Sequence, residues 1–229
     1  MEETKMSKKT TVYEMAECAV ILALSIALFA VSEFIPWPAW LQGGGITLFG
    51  QVPIIVLSYR RGLKAGVPTA LLLGVFEMIT GLANFAWVKG AVSYVVVALF
   101  DYIFAFGVLG LGGMFRGIYA KSGQKSVLTA TLVLGGLISS ALRFVCHFLS
   151  GITVWSEYTQ GNGGFTNLDS VIHGITKGSV IYSITYNGGY MLPETIITVI
   201  GCLAIALVIP KELTKYISKK SKEKVEKAE

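Results

Sequence analysis

The chain has 229 residues, 53% of them hydrophobic and only 14% charged, against about 25% charged in an ordinary soluble domain. Mean hydropathy is +0.65, and a soluble globule of this size has too much surface to hide so many apolar side chains. Composition therefore excludes a soluble enzyme, a disordered chain and a nucleic-acid-binding module, and the net charge of +5 has to be read by its position rather than its sum.

Spanning about 30 Å of hydrocarbon takes roughly 20 helical residues. Six apolar runs are read as spans, in an all-α integral membrane bundle. The first covers about Tyr13 to Phe34. Lys5, Lys8 and Lys9 precede it, but no small-residue cleavage site ends it, so it reads as a retained span rather than a leader. The second, about Ile46 to Tyr59, is short and contains Pro53, which predicts a bent or tilted segment. The third runs from about Leu63 to Leu82 with Pro68 in its first turns, the fourth from about Ala91 to Phe115, the fifth from about Val127 to Leu149 and the sixth from about Asn187 to Ile209. Continuous runs favour helices over a barrel, whose strands alternate.

Positive residues test that count. With six spans, Lys5, Lys8 and Lys9, then Arg60, Arg61 and Lys64, then Arg116, Lys121 and Lys125, then the tail from Lys211 to Lys227 all fall on one side. The opposite loops hold Lys89 and Lys177, and Arg143 lies inside a span. The positive-inside rule makes the crowded side cytoplasmic. Residues 1–229 then form a single membrane domain with cytoplasmic tails at 1–12 and 210–229 and a long extracellular loop at 150–186. The tail carries lysines suited to anionic lipid. Cys18, Cys146 and Cys202 show no CxxC spacing, so neither a metal site nor a disulfide framework is indicated.

Small residues allow close helix approach in lipid. Gly110, Gly112, Gly113, Gly135 and Gly136 fit that role. Ala16, Ala19, Ala23, Ala27 and Ala30 form a stripe on the first span. It is either internal packing or a face for a partner membrane helix.

Ionisable groups within a bilayer are expensive and usually face a cavity. Glu77, Asp101, Arg143 and His147 stand out within the spans. The topology puts all four in the outer half, as in a cup open to the outside. Arg143 and His147, four apart, share a helix face, and Gly151 and Trp155 continue that spacing. An Asp101–Arg143 ion pair between two helices is the structural alternative. Glu77, nearer the surface, reads as an interfacial carboxylate.

Two aromatic groups flank the cup: Trp37 and Trp40 with Pro36 and Pro38 in the first outer loop, and Trp155, Tyr158, Phe165, Tyr182, Tyr186 and Tyr190, with Asn187, after the fifth span. Interfacial belts also use such residues. A recessed carboxylate among flat aromatic faces suits an aromatic organic cation, and Asn and Tyr can read a heterocycle edge. Arg143 could instead favour an anion, so these residues leave the sign of the ligand open.

The stretch Leu142-Arg143-Phe144-Val145-Cys146-His147-Phe148-Leu149-Ser150-Gly151 with Trp155 resembles the fifth-helix region of the thiamin-specific S components of energy-coupling-factor (ECF) transporters. So do Tyr182-Ser183-Ile184-Thr185-Tyr186-Asn187 with Tyr190 and Pro193, the Asp101-Tyr102 pair, and Pro53 followed by Ser58-Tyr59-Arg60-Arg61-Gly62 and Ala65-Gly66. The similarity runs from about residue 11 to 210.

The resemblance implies a six-helix binding subunit of the bacterial plasma membrane. It would capture thiamin with high affinity and deliver it inward with a transmembrane coupling protein and two ATPases. Asp101 would sit near the thiazolium, His147 and Trp155 against the rings, and Tyr182 and Asn187 at the pyrimidine edge. Tyr102, Arg143 and Gly151 would complete the substrate site. Ala19 and Ala23 would be the docking face for the coupling protein. No cofactor, catalytic residue or metal is expected.

Some family members carry Glu at the position of Asp101, and some carry Lys at that of Arg143. The aromatic that some supply from the first outer loop has no clear counterpart in Gly43-Gly44-Gly45-Ile46-Thr47, and Ser156 to Ser179 is longer than expected. The chain has no G-x-x-x-x-G-K-[ST] and so no P-loop of its own. The rival readings are an S component for another vitamin, such as riboflavin or biotin, and an ion-coupled carrier of an organic cation.

Overall fold

The computed structural model describes residues 2–36, 44–156 and 175–217. Every regular element among them is helical. Among the described residues five helices are long and apolar enough to cross a membrane, one fewer than the sequence reading.

The missing one is the second. Its helix, α2, covers only Val52–Arg61, about 15 Å at 1.5 Å per residue. Residues 44–47 are irregular and 48–51 form bends and turns. Pro53 sits in the first turn of α2, where its missing N–H leaves no helical bond unmade. Ahead of it, polar groups bond elsewhere: the Leu48 amide donates to the Ser32 hydroxyl at 2.8 Å and the Thr47 amide to the Glu194 carboxylate. Irregular backbone at membrane depth survives only where protein satisfies it. Neighbouring helices enclose α2, and seven of its ten residues are buried.

The other helices are α1 (Glu2–Glu33), α3 (Leu63–Thr80, with Pro68 inside), α4 (Ala91–Ser122), α5 (Lys125–Trp155) and α6 (Lys177–Val208). Residues 210–217 continue as a further helical stretch. α4 is not uniform: a π segment, Val97–Ile103, is followed by an α turn and a 3-10 segment, Val108–Gly113. The last turn of α5, Gly151–Trp155, is also π-helical.

The sixth span begins at Lys177, ten residues before the expected Asn187. Thr176 caps it, in a reciprocal bond with Ser179. Tyr182, Tyr186 and Asn187 are therefore helical, and the expected long outer loop at 150–186 shrinks to the segment between Trp155 and Lys177. Hydropathy missed this turn because it buries Ser179 and Ser183 rather than apolar side chains. Trp37, Trp40, Gly43, Tyr158, Phe165 and the lysines after residue 217 lie outside the described residues.

The longest interface is between α5 and α6. The backbones of α4 and α5 meet at Gly112 and Gly135, one of the small-residue contacts expected from the glycine pairs. Leu73, Val97, Ala105 and Leu109 lie in the core between α3 and α4. Ile55, Tyr59, Leu128, Leu132 and Cys202 pack around the opposite face of α2. Outside, Leu72, Ile79, Ile181, Leu192, Ile196 and Ile200 are exposed, as lipid-facing side chains are.

One end of the bundle is tied by charge. Glu17 of α1 pairs with Arg60 at 2.5 Å and with Arg61. Arg60 also reaches Glu212 at 3.1 Å, and Arg61 lies 3.4 Å over the ring of Tyr216. Arg116 donates to the Arg60 carbonyl at 3.1 Å.

Candidate functional site

At the opposite end, α5 brings three polar groups to one carboxylate of α4. Asp101 sits in the π segment of α4. Its Oδ2 accepts from the indole Nε1 of Trp155 and the hydroxyl of Ser150, both at 2.7 Å. Its Oδ1 lies 3.1 Å from Nδ1 of His147. The π turn of α5 makes this possible. Residues five apart on an α-helix point about 140° from one another at 100° per residue. The wider π turn, with bonds running i to i+5, lets Ser150 and Trp155 reach the same oxygen.

The ion pair between Asp101 and Arg143, the structural alternative for these residues, does not form. Arg143 turns instead to Glu194 of α6, at 3.4 Å, and its guanidinium stacks 4.5 Å from the centre of the Phe106 ring. The sequence reading missed Glu194 because it follows Pro193 in an otherwise apolar run. An acidic residue at that depth was the available signal. Glu194 is almost fully buried. It also accepts from the Thr47 hydroxyl at 2.5 Å, the Gln51 amide at 2.8 Å and the Thr47 backbone amide.

His147 faces the ring of Tyr190 edge-on, with centroids 5.9 Å apart. Its Nε2 is buried without a hydrogen-bond partner. With Nδ1 donating to Asp101, Nε2 is left with a free lone pair, an acceptor directed at no protein donor. Asn187 donates to the His147 carbonyl at 3.2 Å and to Ser183 at 3.0 Å, and accepts from Tyr190 at 2.8 Å. Tyr182 stacks on Tyr186 at 5.7 Å, and Tyr186 meets Tyr190 edge-on. The aromatic column of α6 thus stands beside the carboxylate of α4.

Gly151 lets α5 and α6 approach closely: a Cβ there would fall 2.2 Å from the Ser183 hydroxyl. Gly44 serves the returning outer segment, where a Cβ would come within 2.7 Å of the Tyr190 ring. That segment therefore lies against the aromatic column. Tyr102 points elsewhere. Its hydroxyl donates to the Gly81 carbonyl at 3.3 Å and accepts from Asn84 at 3.1 Å, with its ring stacked on Phe85, so it holds the turn after α3. Glu77 is half-buried on α3. Ala19 and Ala23 lie at the other end of the molecule on the outer face of α1, both exposed.

The structure thus brings together Asp101, His147, Gly151, Trp155, Tyr182 and Asn187. Arg143 lies next to them but is committed to Glu194, and Tyr102 faces away. Among the described residues no His, Cys, Asp and Glu cluster could hold a metal ion, and the three cysteines are free. A carboxylate held by donors that are neither Arg nor Lys, among aromatic faces, can attract a flat cation.

Comparison with known proteins agrees over nearly the whole chain. Residues 15–215 match the model of the thiamine transporter protein family. The thiamine transporter ThiT of Bacillus subtilis is 30% identical over 214 residues, covering 91% of this chain and 97% of the relative. The thiamine transporter ThiT of Lacticaseibacillus paracasei is 25% identical over 199 residues, covering 85% and 87%. A solved structure of ThiT from Listeria monocytogenes has the same fold, with a TM-score of 0.65 at 22% identity, over 89% of this chain and 98% of that one.

Proposed function

The chain belongs to the thiamine transporter protein family, as a multi-pass protein of the cell membrane rather than an enzyme, and on that premise we propose how it binds and moves its vitamin. Thiamin binds with high affinity in the outer half of the bundle, between α4, α5 and α6. Asp101 balances the thiazolium charge. Trp155 and His147 flank the rings, and Tyr182 and Asn187 read the pyrimidine edge. Arg143 and Gly151 shape the floor and wall, and Tyr102 supports the site from behind. The returning segment through Gly44 covers the ligand.

The observation that carries this reading is the carboxylate of Asp101, bonded to Trp155, Ser150 and His147 and to no cationic Arg or Lys. A cation is the natural complement of such a group.

The chain forms one membrane domain that crosses six times, with both termini cytoplasmic. The second crossing is made by the irregular segment before α2 together with α2 itself. The contacts among Glu17, Arg60, Arg61, Arg116 and Tyr216 support this, since they gather at one end the loops that the positive-inside rule assigns to the cytoplasm. The chain acts as an S component: it captures thiamin outside and delivers it with a coupling protein that docks on Ala19 and Ala23, driven by two ATPases.

The test is tryptophan fluorescence of the purified full chain in detergent, titrated with thiamin, riboflavin and biotin. Saturable quenching by thiamin alone is expected. Quenching by riboflavin or biotin instead would overturn the ligand assignment, and no response from folded protein would overturn the site.

A further inference from the structure

Buried Arg143 and Glu194 lie beside the partly buried Asp101 in the outer half of the bundle, and the way these three pair decides the site's charge. Arg143 is 5% exposed and Glu194 1%. Had Arg143 paired with Asp101, the carboxylate beside the ligand would be neutralised and Glu194 would be the surplus charge, one layer away. The structure pairs them the other way: Arg143 lies 3.4 Å from Glu194, and no ion pair joins it to Asp101 or to Glu77, the carboxylate on α3.

We propose that Glu194 determines the specificity of the site by serving as the counter-ion of Arg143, so that Asp101 alone faces the ligand and the site prefers a cation. The proposal rests on the reading of this pocket as a thiamin site.

Three features support it. The Glu194 carboxylate is fixed by Thr47, through both its hydroxyl and its backbone amide, and by Gln51, so it cannot swing away from the guanidinium without breaking those bonds. Arg143 is held on its other side over the Phe106 ring. The His147 Nε2 has no donor or acceptor partner, which fits a neutral ring with its proton on Nδ1, because a charged ring would bury a second N–H unmet. Arg143 and Glu194 then cancel, Asp101 is left as an uncancelled negative charge among the aromatic faces, and the half-buried Glu77 of α3 adds no positive charge. Among the described residues the polar partners of Glu194 are Thr47, Gln51 and Arg143, so it acts through Arg143 and is a positioning residue.

The experiment compares two ligands on the full-length chain in detergent. One is thiamin. The other is its neutral thiophene isostere, which keeps the shape and the pyrimidine but lacks the ring cation. The readout is the ratio of their dissociation constants. In Glu194→Gln the carboxamide retains hydrogen-bond capacity but not charge. Thiamin affinity should fall at least tenfold and that of the neutral isostere less than threefold. Glu194→Gln combined with Arg143→Gln removes both charges and should restore the wild-type ratio to within about threefold. Glu194→Asp keeps the charge and should keep the ratio, even where both affinities fall.

Equal losses for both ligands in Glu194→Gln would make Glu194 a structural residue only, and an unchanged ratio would remove it from specificity altogether. If Glu194→Gln does not fold, the double variant and Glu194→Asp decide by the same ratio. Failure of the wild-type chain to bind thiamin would instead sink the functional reading on which the proposal stands.

Discussion

α1 and α5 are both long apolar helices, yet they face opposite ways. α5 turns Ser139, Ser140, Arg143, His147 and Ser150 inward, all buried. α1 buries only a narrow seam, with Ser25, Phe29 and Ser32 at its centre, and turns Ala16, Ala19, Ala23, Ala27 and Ala30 outward. In lipid an apolar outer face is no penalty and a polar one is. A helix with polar groups must therefore look inward, where they collect into a site. A helix whose few polar groups fit one narrow seam, as Ser25 and Ser32 do on α1, is free to present a smooth face on the rest. The ligand end and the partner end of this molecule follow from that difference.

The comparison is broken most directly at Asp101. Asp101→Asn keeps the acceptor oxygen for Trp155 or Ser150 but removes the charge. Charge-assisted contacts are worth about 1–3 kcal/mol, so thiamin affinity should fall roughly 5- to 150-fold, measured by fluorescence titration or calorimetry. An unchanged affinity would make Asp101 a structural bond between α4 and α5, and α5 would lose its claim to the ligand.

Trp155 sharpens the same contrast because it has two roles. Its indole N–H holds Asp101, and its ring is available for stacking. Trp155→Phe keeps an aromatic face and loses the bond, about 1 kcal/mol, or roughly fivefold in affinity. Trp155→Ala loses both, and its loss should exceed that of Trp155→Phe. Equal losses in the two variants would assign the whole effect to positioning Asp101.

Much of this was legible in the sequence, but unevenly. Five membrane helices were visible because each is a continuous apolar run. The site stripe was visible because Arg143, His147, Gly151 and Trp155 recur at four-residue spacing, although it is the π turn that carries the last of them onto Asp101. The second run was read as a short, bent span, and its division into an irregular lead-in and a ten-residue helix is a detail that hydropathy does not carry. The start of α6 was missed because its first turns bury hydroxyls. The Arg143 partner was missed because a pairing between α5 and α6 leaves no mark in local spacing. Glu194 lies 51 residues from Arg143, and only the fold brings them together.

A smaller effect is expected where α5 and α6 touch. Gly151→Ala would set a methyl group 2.2 Å from the Ser183 hydroxyl. Overpacking of this kind costs about 1–3 kcal/mol, so the melting temperature should fall, with a modest loss of affinity as Asn187 shifts. Ser183→Ala in the same chain removes the nearest clashing atom but leaves Asn187 Nδ2 at 2.8 Å and the Ser183 Cβ at 2.9 Å, and it gives up the Ser183 bonds to Phe148 and Asn187, so it should recover only part of the stability. A full recovery would mean that the hydroxyl contact alone carries the strain.

The smallest effect on binding, and the sharpest separation of the two helices, belongs to α1. Ala19→Leu with Ala23→Leu adds bulk to an exposed face and touches none of the groups around Asp101. Thiamin affinity of the isolated chain should stay within about twofold, because no buried contact changes. Uptake by cells or by proteoliposomes containing the complete transporter should nevertheless fall sharply, since a small-residue face works by letting a partner helix come close. If affinity fell as well, α1 would be coupled to the site through its seam at Phe29, which packs on Phe106, the ring under Arg143. If uptake survived intact, the alanine face would be covered by lipid alone, and the docking surface would have to be sought at the opposite side of the charged end, where Glu17, Arg60 and Arg61 meet Tyr216.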